Sequence, residues 1–261
     1  MSLNHAHVNQ IRRAYTAIAG EFPKSLTAAL ADYDEITSVR IEVATTEQIA
    51  DAIAACLLNE TDPFDDPKVQ RMAFGRALAN PNGEPMTYAV AESAERHVLA
   101  ALNECVDAIL ADWGKAAATP GQQLADAYRI LGDVDLTSSG TILHMGTKAT
   151  RAWAEASDAL ELLRAIDAGW HALAELSQFA STTNHQMLRC ADLDLEQYET
   201  LWLLGRTTTP ADPWRIVQAG GTIELANRTT FADRVERITE ARQQRQAEIE
   251  KAGQSDSWSN N

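Results

Sequence analysis

The stretch TKATRAWAEASDALELLRAIDAGWHALAELSQFA, residues Thr147 to Ala180, contains the longest uninterrupted helical pattern in the chain. Its apolar residues recur at steps of three and four, which places them on one face of a helix. The members of this stripe are Trp153, Ala156, Leu160, Leu163, Ile166, Trp170, Leu173, Leu176 and Ala180. The absence of Pro predicts one helix of about 50 Å, and other helices must cover its stripe.

A second long pattern, from about Met86 to Trp113, is the natural partner for this helix. Its stripe consists of Ala91, Ala94, Val98, Leu102, Cys105, Ile109 and Trp113. Pro120, with Thr119 as cap before it and Gln122 completing a capping box, indicates a separate shorter helix over Gly121 to Leu131. Thr45 with Gln48 forms another capping box, which predicts the start of an earlier helix. Gly169 costs helix propensity, so its presence predicts a close backbone contact or a kink.

The pattern predicts a mainly α protein, a multi-helix bundle with two long central helices. At most a small β-sheet is expected, because only three short segments alternate between apolar and polar residues. These segments are Val39–Val43, Thr141–Met145 and Thr222–Ala226. We expect the third segment to pair with the first.

Turn signals and changes in pattern suggest four parts of the chain. Asn80 to Gly83 is a strong turn signal and separates an N-terminal helical subdomain with one short strand from the central bundle. The last helix begins with a buried stripe at Phe231 and then carries Arg242 and Arg245 in the stripe positions, so it should leave the core. It is then either an arm that docks on another subunit or partner, or a solvated terminal helix that frays. The predicted domains are 1–80, a central bundle 81–228, a helical arm 229–252 and a flexible tail 253–261.

Composition excludes some classes of function. The formal net charge of −15 argues against general nucleic-acid binding, because phosphates would be repelled. No window approaches the apolar length of a membrane span, and the N-terminus lacks the core of a secretory signal. The odd set Cys56, Cys105 and Cys190 suggests a reducing compartment, so we expect a cytoplasmic protein. Abundant Ala, with Arg preferred over Lys, suggests a bacterial or bacteriophage source.

One cluster could hold a metal ion. Asp167, His171 and Glu175 lie four residues apart on the predicted central helix, so their side chains project from one face. Ligands of this kind bind divalent metals when another helix completes the site. Salt bridging along a solvated face explains the same residues without a site, and we favour that interpretation. The sequence therefore assigns no metal ligand, no cofactor and no catalytic residue.

Other motifs are weaker as signs of chemistry. His185, Cys190 and Asp192 form a loose group of the residue types that nucleophilic catalysis uses. Residues 132–146, GDVDLTSSGTILHMG, are rich in glycine and hydroxyls, but the Lys and Thr that follow are in the wrong order for a phosphate loop. The acidic loop 60–67 could hold a hard cation, yet Asp66 before Pro67 is better explained as a helix cap.

Long helices, a projecting arm and weak catalytic motifs together favour a structural or adaptor protein without enzymatic activity. We expect it to act by helix-mediated self-association or partner binding through the C-terminal helix. A bacteriophage virion or assembly component is one concrete form of this function, and its location would then be the virion. The alternative is a metal-dependent enzyme with a carboxylate and histidine site in the bundle.

Overall fold

The computed structural model describes residues 4–38, 43–79, 86–180, 185–207 and 212–258. The chain forms two compact units. The first contains Lys24–Asn103, and the second contains Asn4–Pro23 with Glu104–Asn261. The first helix thus belongs to the second unit, although the sequence grouped it with residues 1–80, and the four predicted parts stay a prediction.

Ten α-helices lie within the described residues, so the protein is mainly α as predicted. They are α1 (His5–Ala17), α2 (Lys24–Ser38), α3 (Thr46–Leu58), α4 (Pro67–Ala79), α5 (Met86–Leu131), α6 (Ser139–His144), α7 (Thr147–Ser177), α8 (Leu195–Thr207), α9 (Pro213–Gln218) and α10 (Arg228–Trp258). A short 3-10 helix, Gln186–Arg189, precedes strand β1 (Ala191–Asp192), and strand β2 is Thr222–Ile223.

Helix α7 is the centre of the second unit, and its apolar stripe is buried as the spacing predicted, except for the partly exposed Trp153 and Ala180. Leu163, Ile166, Trp170 and Leu173 are all at most 4% exposed. The predicted close contact at Gly169 is confirmed, because a Cβ there would lie 2.7 Å from the Ala14 Cβ of α1. The absence of a side chain at this position therefore lets α1 approach the backbone of α7.

Helix α5 differs from the sequence prediction in its length. It runs unbroken for 46 residues through Pro120, where we predicted a break and a new helix at Gly121. Proline lacks an amide hydrogen, so one intrahelical hydrogen bond is lost, and burial of Pro120 helps to offset that loss. Gln122 donates to Asp126 within the same helix rather than completing a cap.

The described residues contain one small sheet, as predicted. Strand β2 pairs antiparallel with β1, with Ala191 opposite Ile223, a pairing that was not predicted. The predicted pairing of Thr222–Ala226 with Val39–Val43 stays a prediction, because most of the latter segment lies outside the described residues. Thr141–Met145 is not a strand, because Ser139–His144 forms α6. Of the remaining candidate, Val39 to Glu42 lie outside the described residues, and Val43 is exposed.

Several helix starts follow the predicted capping chemistry. The Thr45 Oγ1 accepts from the Gln48 amide while the Gln48 Oε1 accepts from the Thr45 amide, which completes the capping box of α3. Asp66 accepts from the amides of Lys68 and Val69 at the start of α4. These local interactions need no tertiary contact, so the sequence alone was sufficient to predict them.

The last helix is buried at its start and exposed towards its end. Phe231, Arg234 and Ile238 are buried, whereas residues 243–251 are all exposed. Helix α10 begins earlier than predicted, because Asn227 accepts from the Thr230 amide and caps it. It continues to Trp258, within the segment that the sequence assigned to a tail.

Within the described residues, no helix combines the length with the apolar character that crossing a bilayer requires.

Candidate functional site

The loose group His185, Cys190 and Asp192 does not form a catalytic arrangement. The Cys190 thiol donates to the Asp167 Oδ1 at 3.2 Å, and the His185 Nδ1 is hydrogen-bonded to the Tyr198 hydroxyl at 3.1 Å. Burial and the nearby Asp167 carboxylate raise the pKa of the Cys190 thiol, which disfavours the thiolate. The geometry therefore does not activate Cys190 as a nucleophile.

Asp167 instead forms an ion pair with an arginine that the sequence did not connect to it. The Nε and Nη2 of Arg189 donate to the two carboxylate oxygens of Asp167 at 2.8 and 2.9 Å. The guanidinium group also lies 5.6 Å from the centre of the Trp170 ring. These contacts fix the 3-10 helix against α7, so Asp167 has a structural role.

A second buried arginine joins α10 to the same region. The Arg234 Nη1 donates to the carbonyl oxygens of Leu188 and Glu224 at 3.1 and 3.0 Å. The side chains of Asp192 and Glu224 lie 3.9 and 3.3 Å from its guanidinium nitrogens. Asp192 also pairs with Arg237. The contacts of Arg189 and Arg234 thus join four segments of the second unit, which are α7, the 3-10 helix with β1, the segment that follows β2, and α10.

The residues of the possible metal site are not brought together as ligands. In the part of the chain that the structure describes, no group of three His, Cys, Asp or Glu residues could hold a metal ion. Asp167 is engaged by Arg189, and Glu175 is exposed. The His171 ring lies 6.2 Å from the His7 ring of α1, and its Nδ1 is buried without a hydrogen-bond partner.

We predict that acidification destabilises the protein through His171. Burial and Arg189 lower the pKa of His171 more than Asp167 and Glu175 raise it, and His7 adds to the lowering. With its pKa lowered by folding, His171 binds a proton more readily in the unfolded chain than in the folded protein. The free energy of unfolding therefore falls as the pH drops through the ordinary histidine range near 6.5.

Urea denaturation at pH 8 and pH 5.5 tests this prediction. The fall in unfolding free energy from pH 8 to pH 5.5 should be smaller in His171→Gln than in the wild type. In the exposed control His144→Gln, this fall should equal that of the wild type. His185, whose pKa is lowered by burial and by Arg242, should account for part of the remaining loss. An equal pH dependence in the wild type and His171→Gln would contradict the assignment.

The other two candidate motifs have structural roles. In the acidic loop, Asp62 accepts from the Phe64 amide and Asp66 caps α4, so both carboxylates stabilise local turns. In the glycine-rich segment, Asp135 accepts from the amide and hydroxyl of Thr137.

The most unusual surface belongs to the first unit, on the hairpin formed by α3 and α4. An open apolar groove of about 1090 Å³ runs along the two helices and is named here the hairpin groove. It is lined by Ile49, Ile53, Leu57, Pro63, Phe64, Pro67, Val69, Gln70, Arg71, Ala73, Phe74 and Ala77. The groove was not predicted, because the apolar periodicity of an amphipathic helix is the same whether its apolar face is covered or open.

Large apolar side chains project from this hairpin into solvent. Leu57, Leu58, Phe64 and Phe74 are 63%, 85%, 84% and 64% exposed. The turn fixes Phe64, because Asp62 accepts from its amide and Gln70 donates to its carbonyl oxygen. Isolated exposed apolar residues are common, but a contiguous group is typical of a protein interaction surface.

The sequence matches no protein-family model, and the comparisons with curated proteins and with solved structures found no match either. The functional argument therefore depends on the surfaces and contacts of the chain itself.

Proposed function

We propose that this chain is a non-enzymatic structural or adaptor protein that acts by helix-mediated self-association through the hairpin groove. The observation that carries the proposal is the group Leu57, Phe64 and Phe74, which lines the groove with side chains that are each at least 63% exposed. A bacteriophage virion or assembly component is one setting for such a protein, and only the composition of the chain supports it.

The free energy gained by burying the apolar side chains of the hairpin groove is sufficient for association. Burying one Leu or Phe side chain contributes about 1.5–3 kcal/mol. Two grooves packed together would bury six of these side chains, Leu57, Phe64 and Phe74 from each copy. Part of this free energy is offset by lost translational and rotational freedom, so a dimer of moderate affinity is expected.

The C-terminal helix is the second surface that the sequence pointed to. Residues Gln243 to Lys251 of this helix are exposed, and their large apolar side chain is that of Ile249, which is 60% exposed. One exposed Ile offers less apolar contact than the hairpin does. We therefore assign the main contact to the hairpin and a secondary one to the end of α10.

Light scattering over a concentration series tests the proposal. We expect the full-length chain to associate, and the double variant Leu57→Ser with Phe74→Ser to weaken association at least about 100-fold, since every 1.4 kcal/mol is a factor of ten. The control is Leu143→Ser, which removes a side chain of similar exposure, 57%, from α6. A full-length chain that stays monomeric at all concentrations would overturn the proposal.

A truncation separates the hairpin from the C-terminal helix. The cut belongs after Arg245, because Phe231, Arg234 and Ile238 are buried and Arg245 contacts Glu199. Removal of residues 246–261 should leave the oligomer intact. If this truncation alone gives a folded monomer, the main contact lies on α10 and the assignment to the hairpin is wrong.

A further inference from the structure

The hairpin formed by α3 and α4 has almost no core of its own. Among the described residues from Val43 to Ala77, the buried ones are Cys56, Val69 and Gly75. Helix α7, by contrast, buries 13 of its 31 residues. Helices α3 and α4 have 13 residues each and pack mainly against each other. The folded hairpin therefore gains little from the burial of apolar side chains within one chain.

Two residues of the hairpin further oppose its folding. Glu60, which follows the C-cap of α3, has a φ of 54°, in the left-handed region that favours glycine. Gly75 lies inside α4 and lowers its helix propensity. Helices shorter than about 12–15 residues are marginal in water unless another surface packs against them. By this criterion α3 and α4 need a further surface to be stable.

Hydrogen bonds, most of them local, define the shape of the hairpin. A capping box at Thr45 starts α3, and the Thr61 Oγ1 donates to the Cys56 carbonyl oxygen at 3.1 Å. The Arg76 Nη1 donates to the Ala44 carbonyl oxygen at 3.2 Å and joins the segment before α3 to α4. Such bonds contribute only modestly to folding, because the unfolded chain bonds to water instead. They specify the conformation of the hairpin without making it stable alone.

We propose that folding of the hairpin is coupled to self-association, so that α3 and α4 are largely unfolded in the dissociated chain and become ordered when the hairpin groove is covered. This inference rests on the self-association proposed above and adds its regulation. Covering Leu57, Phe64 and Phe74 supplies the apolar burial that the hairpin lacks within one chain.

The coupling has a consequence for affinity. A segment that must fold in order to bind lowers the apparent affinity by the fraction of chains in which it is already folded. A substitution that changes the stability of the hairpin should therefore change association, even when the substituted residue lies outside the contact.

Hydrogen exchange of the wild type at two concentrations tests the coupling directly. Below the dissociation constant measured by light scattering, the amides of α3 and α4 should exchange at least about 100-fold faster than above it. Amides of α7 should exchange equally at both concentrations, because that helix has a core of its own. Equal protection of the hairpin in the dissociated and the associated protein would overturn the inference.

Two exposed residues that do not line the hairpin groove, Thr45 and Glu60, provide a second test. Thr45→Ala removes the capping box of α3. Because both chains of a dimer must fold their hairpins, this variant should dimerise roughly 30-fold more weakly than the wild type. Glu60→Gly relieves the left-handed conformation and should dimerise at least about threefold more tightly. A hairpin that is already folded in the free chain would leave both affinities unchanged.

Asp194→Ala is the matched control for the Thr45 variant. Asp194 and Gln197 form the same reciprocal pair of hydrogen bonds at the start of α8, in the second unit. Loss of this cap should lower the midpoint of urea denaturation and leave dimerisation unchanged, since the hairpin lies in the first unit. If Asp194→Ala weakens dimerisation as much as Thr45→Ala does, a general loss of stability explains both results and the coupling is wrong.

The outcomes separate this inference from the proposed function. If the wild type associates but Thr45→Ala and Glu60→Gly dimerise as it does, the hairpin is folded beforehand and only the coupling is wrong. If the wild type associates and exchange in the hairpin slows as it does so, both proposals are supported. A wild type that stays monomeric at all concentrations overturns the proposed function and the coupling with it.

Discussion

Replacing Gly169 by Ala is expected to destabilise the second unit by about 1–3 kcal/mol, the usual cost of overpacking a dense core. The added Cβ would lie 2.7 Å from the Ala14 Cβ and 2.9 Å from the Trp113 Cη2. Neither neighbour can move freely, because one is attached directly to the backbone of α1 and the other belongs to a fully buried ring. The helices must therefore separate.

Gly114→Ala is the matched control for this prediction. Gly114 also lies inside a helix, but a Cβ there would meet nothing within 4 Å. The higher helix propensity of Ala should then stabilise the protein by up to about 1 kcal/mol. All six tryptophans lie in the second unit, so urea denaturation followed by their fluorescence measures both effects. Shifts of the same sign in the two variants would contradict the packing described for Gly169.

Arg189→Ala is expected to cost roughly 3 kcal/mol, because removing one partner of a buried ion pair leaves the other charge uncompensated. The Arg189 side chain is 6% exposed and that of Asp167 is 30% exposed. The variant also loses the contact of the guanidinium group with the Trp170 ring. Its midpoint of urea denaturation should fall well below that of the wild type.

Arg228→Ala provides the control for the buried pair. Arg228 also donates through Nε and Nη2 to one aspartate, Asp107, but the two side chains are 40% and 71% exposed. Exposed pairs contribute about 0–1 kcal/mol, so its removal should have little effect. The double variant Arg189→Met with Asp167→Leu should recover part of the lost stability. Equal losses for Arg189→Ala and Arg228→Ala would show that burial does not govern the effect.

The parts of the fold that the sequence predicted correctly depend on local repetition. The apolar residues of α7 recur at helical spacing along its whole length. The caps at Thr45 and Asp66 involve residues at most three apart. The close contact at Gly169 was also predicted, because a glycine weakens the interior of a long helix and tight packing against a neighbour offsets that cost. Each of these features is encoded within a few residues of the chain.

The features that the sequence did not predict depend on distant segments. The pairing of Ala191 with Ile223 was not predicted, because β1 contains only two residues and is too short to show alternation, although Thr222–Ala226 was predicted as a strand. The bond between Arg189 and Asp167 joins residues 22 positions apart, and only folding brings them together. The hairpin groove is exposed because no other described segment covers this face of α3 and α4. A pattern of apolar residues does not show whether another segment will cover it.

The continuity of α5 has a consequence for any attempt to obtain the two units as separate fragments. One division between them lies between Pro23 and Lys24, and the other falls at Asn103 and Glu104, inside that helix rather than in a loop. Proteases cut most readily at exposed loop tips, and cleavage inside a helix requires local unfolding first. Limited digestion should therefore spare this boundary. A gene cut between codons 103 and 104 would leave each product with a broken helix end and four unsatisfied backbone groups that the intact chain does not have.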